Sequence, residues 1–560
     1  MVDYDVILIH SPSIYDFRKK AVFPGPVAYT VGGSTEQFIT PPVGMLSIAD
    51  YLTRHGYSAI VDNLGARMVR SDSLIVEEYL GSLSARVFGI GLHWCVHSQG
   101  AMEIARLIKK LHPGSKVVMG GLTATVFAEE IVRKYDFIDG VIRGEGEKPF
   151  VRYMQALDSG EDLASVPNLT FRREDGSVCS VDLMEPDPDL DEYEFTRLDL
   201  IQPPMSSFTP GILPSWTIPV CRGCVENCAS CGGSAYSYKK YLGRRKPAFR
   251  SPEKIVADLR KLTEQGVELV FLFQDPRIGG RKYWRALLKA LQEMEVPLRQ
   301  LTMELFGPAD EEFIRELSRI SVPVALTISP ESGVDHVRQS HGRSYTNEEL
   351  YRTMDLCKKY GIKLGSFTMA ALAEDTTQTI RETWDTWEQI CLLNVNERAP
   401  VDYAFGPMLL LDPGSLAFDQ PEKYGYRLVF KTLEDYIAGM NLPSWHQWIS
   451  YETRNLTRDD IIQLTIDSLE YSINLRERVG FYNHDDASIA RFCFVESAKE
   501  TVKVVNEAME LPQKERDTLL KRYNQFVEMK LGSLLFMNYQ REQAEAQRRA
   551  RSAAPTVEFK

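Results

Sequence analysis

The sequence predicts an α/β protein of two parallel-sheet units in series, followed by a mainly helical region. Three observations carry this. Short apolar runs alternate with amphipathic helical patterns over residues 5–150, and a second such series runs over 216–412. Beyond 413, helical periodicity dominates. The first series has the alternation of a doubly wound, Rossmann-like sheet, and the second, with six β/α units, that of a partial (β/α)6 barrel.

The elements follow in order. DVILIHSP (5–12), SAIVDN (58–63), VFGIGLHW (87–94), KVVMGGLTA (116–124) and DGVIRG (139–144) are the strands of a first domain, 1–155. PPVGMLSIADYLTRHGY (41–57) and AMEIARLIKKLH (101–112) present one apolar face each and are its clearest helices. Ligands of such a sheet sit beyond the carboxyl ends of the strands, here 11–34, 93–99, 120–125 and 144–147. Residues 156–213, with prolines, acidic clusters and the hairpin-like NLTFRREDGSVCSV, form a connector. In the barrel, 214–412, strands are expected at 216–220, 269–273, 301–306, 324–330, 363–372 and 401–410, with helices at 251–266, 282–294, 310–321, 346–361 and 376–393. Ser251-Pro252-Glu253 and the Thr346/Glu349 pair are helix starts. Residues 413–560 form the helical domain, ending in a polar extension and frayed tail.

Of the 560 residues, 44% are hydrophobic and 25% charged, an ordinary globular composition. No apolar run reaches the roughly 18 residues a membrane span needs, and MVDYDVILIHSP lacks the basic start of a signal peptide. A net charge of −12 argues against general nucleic-acid binding. The expected setting is the reducing cytoplasm, where clustered cysteines bind metal rather than pair as disulfides.

The loop CRGCVENCASCGG directly follows the first barrel strand, on the face where barrels build chemistry. Four-thiolate zinc sites usually separate their two CxxC pairs by about 12 residues or more; only three residues separate the pairs here. Cys224, Cys228 and Cys231 alone offer another solution, three irons of a [4Fe–4S] cube with the fourth left open. Cys221 is then either a buried strand-end residue or a fourth ligand.

With this spacing in this context the chain resembles the radical S-adenosylmethionine (SAM) superfamily over residues 216–412. The resemblance implies that SAM chelates the open iron and is cleaved reductively. Gly232 and Gly233 would leave room for its methionine end, and Glu331 and Ser332 of ISPESG would lie near it. Asp275 of FQDP and Glu304 of LTMELF would meet its polar parts, although a helix cap or a barrel salt bridge accounts for either equally well. GPMLLLDPGS resembles the loop that closes over the adenine. Ser230 stands where such families usually carry an aromatic residue.

PPVGMLSIADYLTRHGY, GGLTAT and GEGEKPF look like signatures of the cobalamin-dependent branch of that superfamily, extending the resemblance over 1–412. No Asp-x-His-x-x-Gly motif occurs, so cobalamin would be bound base-off without that ligand. Its tail would lie near Gly120, Gly121, Thr123, Gly144 and Glu145. His93, Trp94 and His97 would face the lower side of the corrin. The branch implies a C-methyltransferase passing a methyl from SAM through methylcobalamin to an unactivated carbon, with a ferredoxin or flavodoxin as low-potential electron donor. Its substrate would be a peptide or protein residue or a small molecule; some archaeal members methylate a glutamine of methyl-coenzyme M reductase. Tyr236, Tyr238, Tyr241, Arg244 and Arg245 are candidates to hold it. The alternatives are a non-methylating cobalamin-dependent enzyme of lipid or cofactor synthesis and a zinc-knuckle regulator.

Overall fold

The computed structural model describes residues 3–25, 43–204, 215–393, 401–407 and 410–530. Part of the expected 11–34 loop, Met408 and Leu409 of the adenine loop, and the C-terminal tail lie outside them.

The first sheet comprises β1 (Tyr4–His10), β2 (Ala59–Asn63), β3 (Ala85–Gly91), β4 (Lys116–Gly120), β5 (Gly140–Ile142), β6 (Leu169–Arg172), β7 (Val178–Ser180) and β8 (Ile201–Gln202). Its spatial order is β7-β6-β5-β4-β3-β1-β2-β8, with every pairing parallel except β5–β6 and β6–β7. Val6 to Ile9 are buried on both faces, which is why the strand reads as a continuous apolar run. The winding reverses between β1 and β3, so the segments following them leave the sheet side by side, as at any topological switch point. They are tied there: Gly100 N–H donates to Ser13 O at 3.0 Å, and Tyr15 N–H to Gln99 Oε1 at 2.7 Å. The five expected strands are present. In the connector, the hairpin-like NLTFRREDGSVCSV is the antiparallel pair β6–β7; what differs from expectation is that this hairpin joins one edge of the first sheet and β8 the other. A two-residue strand has no periodicity from which to read it.

The second unit contains β9 (Ser215–Pro219), β10 (Cys221–Arg222), β11 (Ala248–Phe249), β12 (Leu269–Phe273), β13 (Gln300–Leu305), β14 (Val324–Glu331), β15 (Lys363–Ala370) and β16 (Val401–Pro407). Six of these form a parallel sheet in the order β9-β12-β13-β14-β15-β16, the partial barrel, while β10 and β11 make a separate small pair. One side of each barrel strand is buried, for example Val270 and Leu272, Met303 and Leu305, Leu326 and Ile328. The intervening helices are Pro252–Glu264, Gly280–Gln292, Glu311–Leu317, Asn347–Tyr360 and Thr377–Leu392. Both expected helix starts hold: Ser251 Oγ accepts from Lys254 N–H at 3.1 Å, and Thr346 and Glu349 form a capping box.

The C-terminal region is mainly helical, with long helices at Arg458–Arg478 and Ser497–Met509 and a small antiparallel pair, β17 (Tyr426–Leu428) and β18 (Tyr451–Thr453). Helix Leu433–Met440 packs back onto the first unit. Tyr436 lies 6.2 Å from Phe127, and its hydroxyl donates to Leu411 O at 2.7 Å. Among the described residues no helix is long and apolar enough to cross a membrane.

A buried ion cluster joins the two sheets. Arg222 of β10 donates to Glu145 at 3.1 Å and pairs with Glu147, both from the turn after β5; Ser47 donates to Glu147 at 2.8 Å. The guanidinium lies over Tyr193 at 4.9 Å. Burial alone would raise the Glu147 carboxyl, but Arg222 and Ser47 outweigh it and hold it below its ordinary value. Its stabilising contribution is therefore present above the ordinary carboxylate pKa and is lost as pH falls through the lowered one. Arg222→Met would leave the buried Glu147 carboxylate without its cation, while Glu145 keeps Arg244. The substitution is expected to cost about 3–5 kcal/mol, read as a lower denaturant midpoint of the full chain; an unchanged midpoint would count against the staple.

Candidate functional site

The site is built on the cysteine loop, which neighbouring elements hold from three directions. From the end of helix Asp335–His341, His341 O accepts from Ala229 N–H at 2.8 Å, and its Nε2 lies 3.3 Å from Ser230 Oγ. From the segment after β16, Asp412 Oδ2 accepts from Gly232 N–H at 3.0 Å and Ala417 N–H donates to Ala229 O at 2.8 Å. From the following helix, Ala235 N–H donates to Glu226 O at 2.8 Å. The loop after the first barrel strand is thus a fixed turn.

Within it, Glu226 N–H points at Cys224 Sγ (3.4 Å) and Gly233 N–H at Cys231 Sγ (3.3 Å), donors suited to a thiolate. The three thiols feel one another electrostatically. Burial is the main cause of their raised pKa values, with Cys228 pushed up to about 11 despite the nearby Arg343. Cys221 is buried in β10 with Sγ 3.7 Å from Gly223 O, and it too feels Cys224, although burial is the main cause of its raised pKa. Among the described residues no three His, Cys, Asp or Glu side chains converge on an ion-sized point. Thiolates that each hold a different iron of a cube need not.

The strand ends facing this loop carry the remaining polar groups. Glu331 ends β14 in the left-handed region (φ 67°), Gln274 follows β12 at φ 76° and Ala371 follows β15 at φ 65°. Non-glycine residues in that region are uncommon and cluster at functional sites. Glu331 Oε1 lies 3.4 Å from Arg343, while its Oε2, like Gln274 Oε1, is buried with no partner among the described residues. Glu304 accepts from Gln274 N–H at 3.0 Å, and burial raises both glutamates. Two orphaned acceptors beside the cysteine loop fit a ligand that brings its own ammonium group, as SAM does. Ser332 Oγ accepts from Val334 N–H at 3.1 Å and so shapes the turn into the next helix. Asp275 is committed elsewhere: its carboxylate caps Arg277, pairs with that guanidinium at 2.6 Å and accepts from Phe306 N–H at 2.8 Å. The cap and the salt bridge both occur, leaving no free oxygen to aim at a ligand.

In the first unit, the segments after β3 and β4 are locked together. Thr123 donates to His93 O through both N–H (3.1 Å) and hydroxyl (3.0 Å). Gly121 has φ 110°, and a Cβ there would lie 2.7 Å from the His93 backbone. Gly120 O accepts from Leu92 N–H at 2.8 Å, and Gly144 N–H donates to Thr125 Oγ1 at 3.0 Å. His93, half-buried, has its pKa pushed down to about 4 by burial and is neutral. Its ring stands edge-on to Trp94 at 5.0 Å, whereas His97 is turned into the domain against His10, also at 5.0 Å. Glu145 is not free for a ligand at the sheet edge, because it pairs with Arg222 and with Arg244 at 2.6 Å.

That pairing also takes Arg244 away from the expected substrate clamp. Tyr236 and Tyr241 instead bond Asp419 at 2.8 Å each, and Tyr238 is held against the turn at Gly223. Sequence reasoning missed four residues: Arg343, His341, Gln274 and Asp412. Asp412 has its carboxyl raised by burial and sits where the two units meet. A Cβ on Gly232 would be 3.1 Å from both Asp412 Cβ and Leu122 of the segment after β4.

Comparison with known proteins agrees with this arrangement. Residues 218–386 match the Radical SAM superfamily and residues 29–153 the B12 binding domain. An uncharacterised methyltransferase of Pyrococcus horikoshii is 23% identical over 351 residues, covering 61% of this chain and 72% of that protein. The anaerobic magnesium-protoporphyrin IX monomethyl ester cyclase of Rubrivivax gelatinosus is 22% identical over 64% of this chain and 63% of its own length, so the match spans less than two thirds of that enzyme. Among solved structures, the radical SAM methyltransferase TsrM from Kitasatospora setae, with cobalamin and a [4Fe-4S] cluster bound, aligns with TM-score 0.58 and 16% identity over 89% of this chain and all of that one. The cobalamin-dependent radical enzyme OxsB aligns with TM-score 0.58 and 14% identity over 99% and 82%. The chain thus carries a radical SAM domain and, before it, a B12-binding domain, the pairing of cobalamin-dependent radical SAM enzymes, with SAM, a [4Fe–4S] cluster and cobalamin as its cofactors.

Proposed function

We propose that the protein is a C-methyltransferase that moves a methyl group from SAM to an unactivated carbon of a peptide or protein residue. The observation that carries this reading is the meeting of the cysteine loop and the segment after β4 at Gly232, Asp412 and Leu122. When bound, the iron–sulfur cluster supplies the electron that cleaves SAM, and cobalamin supplies the methyl chemistry.

The protein's part is alignment. Cys224, Cys228 and Cys231 hold three irons. Glu331, Gln274 and Glu304 receive the amino end of SAM, with Gly232 and Gly233 giving room beside the third cysteine. Ser332 holds the turn that aims Glu331. Gly120, Gly121, Thr123 and Gly144 would form the rim for the cobalamin tail, and neutral His93 with Trp94 would face the corrin. The Pyrococcus relative is named a methyltransferase, and TsrM, also a methyltransferase, is solved with tryptophan as substrate. For this chain the glutamine of methyl-coenzyme M reductase is the first acceptor to assay.

The test is incubation of the reconstituted protein with methyl-labelled SAM, a strong reductant and candidate peptides. Both S-adenosylhomocysteine and 5′-deoxyadenosine are expected, with label on a product carbon. 5′-Deoxyadenosine alone would exclude methyl transfer and leave the non-methylating chemistry suggested by the cyclase relatives.

A further inference from the structure

The outer side of the cysteine loop reaches solvent at Val225, directly after Cys224 and 48% exposed. Residues 235–249 wrap this side. Tyr236 N–H donates to Asn227 Oδ1 at 2.9 Å, a Cβ on Gly223 would lie 2.8 Å from Pro247 Cα, and β10 pairs with β11. The wrap carries Lys239, Arg245 and Lys246, all exposed. None makes an ion pair with a described residue, in contrast to Lys240, which pairs with Asp419 at 2.8 Å. The loop itself brings one carboxylate to this side, the half-buried Glu226.

We propose that this face, Val225 bordered by Lys239, Arg245 and Lys246, is the docking site of an acidic, low-potential one-electron carrier protein. The inference rests on the iron–sulfur reading of the three cysteines. Electron tunnelling falls steeply with distance, so a protein donor must dock where the cysteine loop meets solvent. The opposite side of the loop faces the strand ends, where SAM and substrate belong. A chain with net charge −12 repels an acidic carrier at long range. A local basic patch reverses this near the cluster and steers the encounter. Val225 offers an apolar spot that can be desolvated at the centre of the contact. In the step itself one electron leaves the carrier, which is oxidised by one unit, and enters the cluster, which is reduced by one; no proton or group moves.

The experiment is stopped-flow reduction of the reconstituted full-length protein by a reduced plant-type ferredoxin, after iron analysis. Reversing the patch (Lys239→Glu, Arg245→Glu and Lys246→Glu together) should lower the second-order rate about tenfold or more at low salt and flatten its salt dependence. Reduction by the small methyl viologen radical cation should not slow. The glutamine triple variant, which removes charge without adding repulsion, should fall between, and serves if the reversed chain fails to load iron. Lys503→Glu with Lys521→Glu, on exposed positions of the C-terminal helices, should leave the rate unchanged. An undiminished rate in an iron-replete patch variant would overturn the proposal, as would an equal fall in the control. Absence of iron from the native chain would instead overturn the functional reading, and is seen before any rate is measured.

Discussion

Alanine at Cys224, Cys228 or Cys231 is expected to give a folded chain holding little or no iron after anaerobic reconstitution, while alanine at Cys221 leaves iron and sulfide content unchanged. The contrast follows from where each thiol sits. Cys221 is a strand residue paired with Phe249, with a neighbour in its own turn, and it is 1% exposed. Replacing it removes a small buried side chain and no donor to a cluster. The other three lie on the turn itself, two of them with backbone N–H groups aimed at sulfur. Loss of any one leaves two thiolates for a cube that must be held at three corners. The measurement is iron and sulfide analysis with thermal unfolding as the check on folding. Cys221→Ala losing iron as fully as Cys224→Ala would make it a ligand and would close the iron left open for SAM.

A comparable loss is expected from Gly342→Ala, a residue that touches no metal. Gly342 closes helix Asp335–His341 at φ 107°, and a Cβ there would lie 2.7 Å from Asn227 O and 3.1 Å from Cys228 Cα. All of these are backbone atoms, so no rotamer change relieves the clash. Overpacking of this kind typically costs about 1–3 kcal/mol, and the left-handed conformation adds about 1–2 kcal/mol for a residue with a Cβ. The strain falls on the turn that sets the spacing of Cys224 and Cys228. Gly361 provides the control: it closes helix Asn347–Tyr360 at φ 68°, and a Cβ there would have nothing within 4 Å. Gly361→Ala should therefore destabilise slightly and load iron normally. Equal iron content in the two variants would show that the contact under Cys228 is slack.

The course of both sheets was legible because apolar alternation and helix starts are local signals. LVFLF is strand Leu269–Phe273, and the Thr346 capping box opens its helix as read. The cysteine loop was legible because its ligands lie within one turn. What escaped the sequence depends on contacts between distant elements. Arg343 and His341 matter because a helix end returns beneath the cysteine loop, and Asp412 because the last barrel strand returns above it. Asp275 shows the converse: its partner Arg277 is two residues away, so a cap with a salt bridge was the reading nearest at hand. Glu145 and Arg244 each looked available while considered alone, and the fold spends them on each other. His341 is informative in another way, since it sets a buried imidazole beside Ser230, the position at which the resemblance led one to expect an aromatic side chain.

The placement of β6, β7 and β8 at the two margins of the first sheet has a consequence for how the chain is made. All three strands come from residues 169–202, after the five that define the cobalamin-binding unit. A ribosome that has released only residues 1–155 has therefore produced a sheet whose outer strands, β5 and β2, both offer unpaired backbone to any passing chain, the usual start of edge-to-edge aggregation. A fragment ending at 155 should be found largely in the insoluble fraction and one ending at 204 in solution. The stretch that looked like a tether between two machines is the selvedge that keeps the first of them from unravelling into its neighbours.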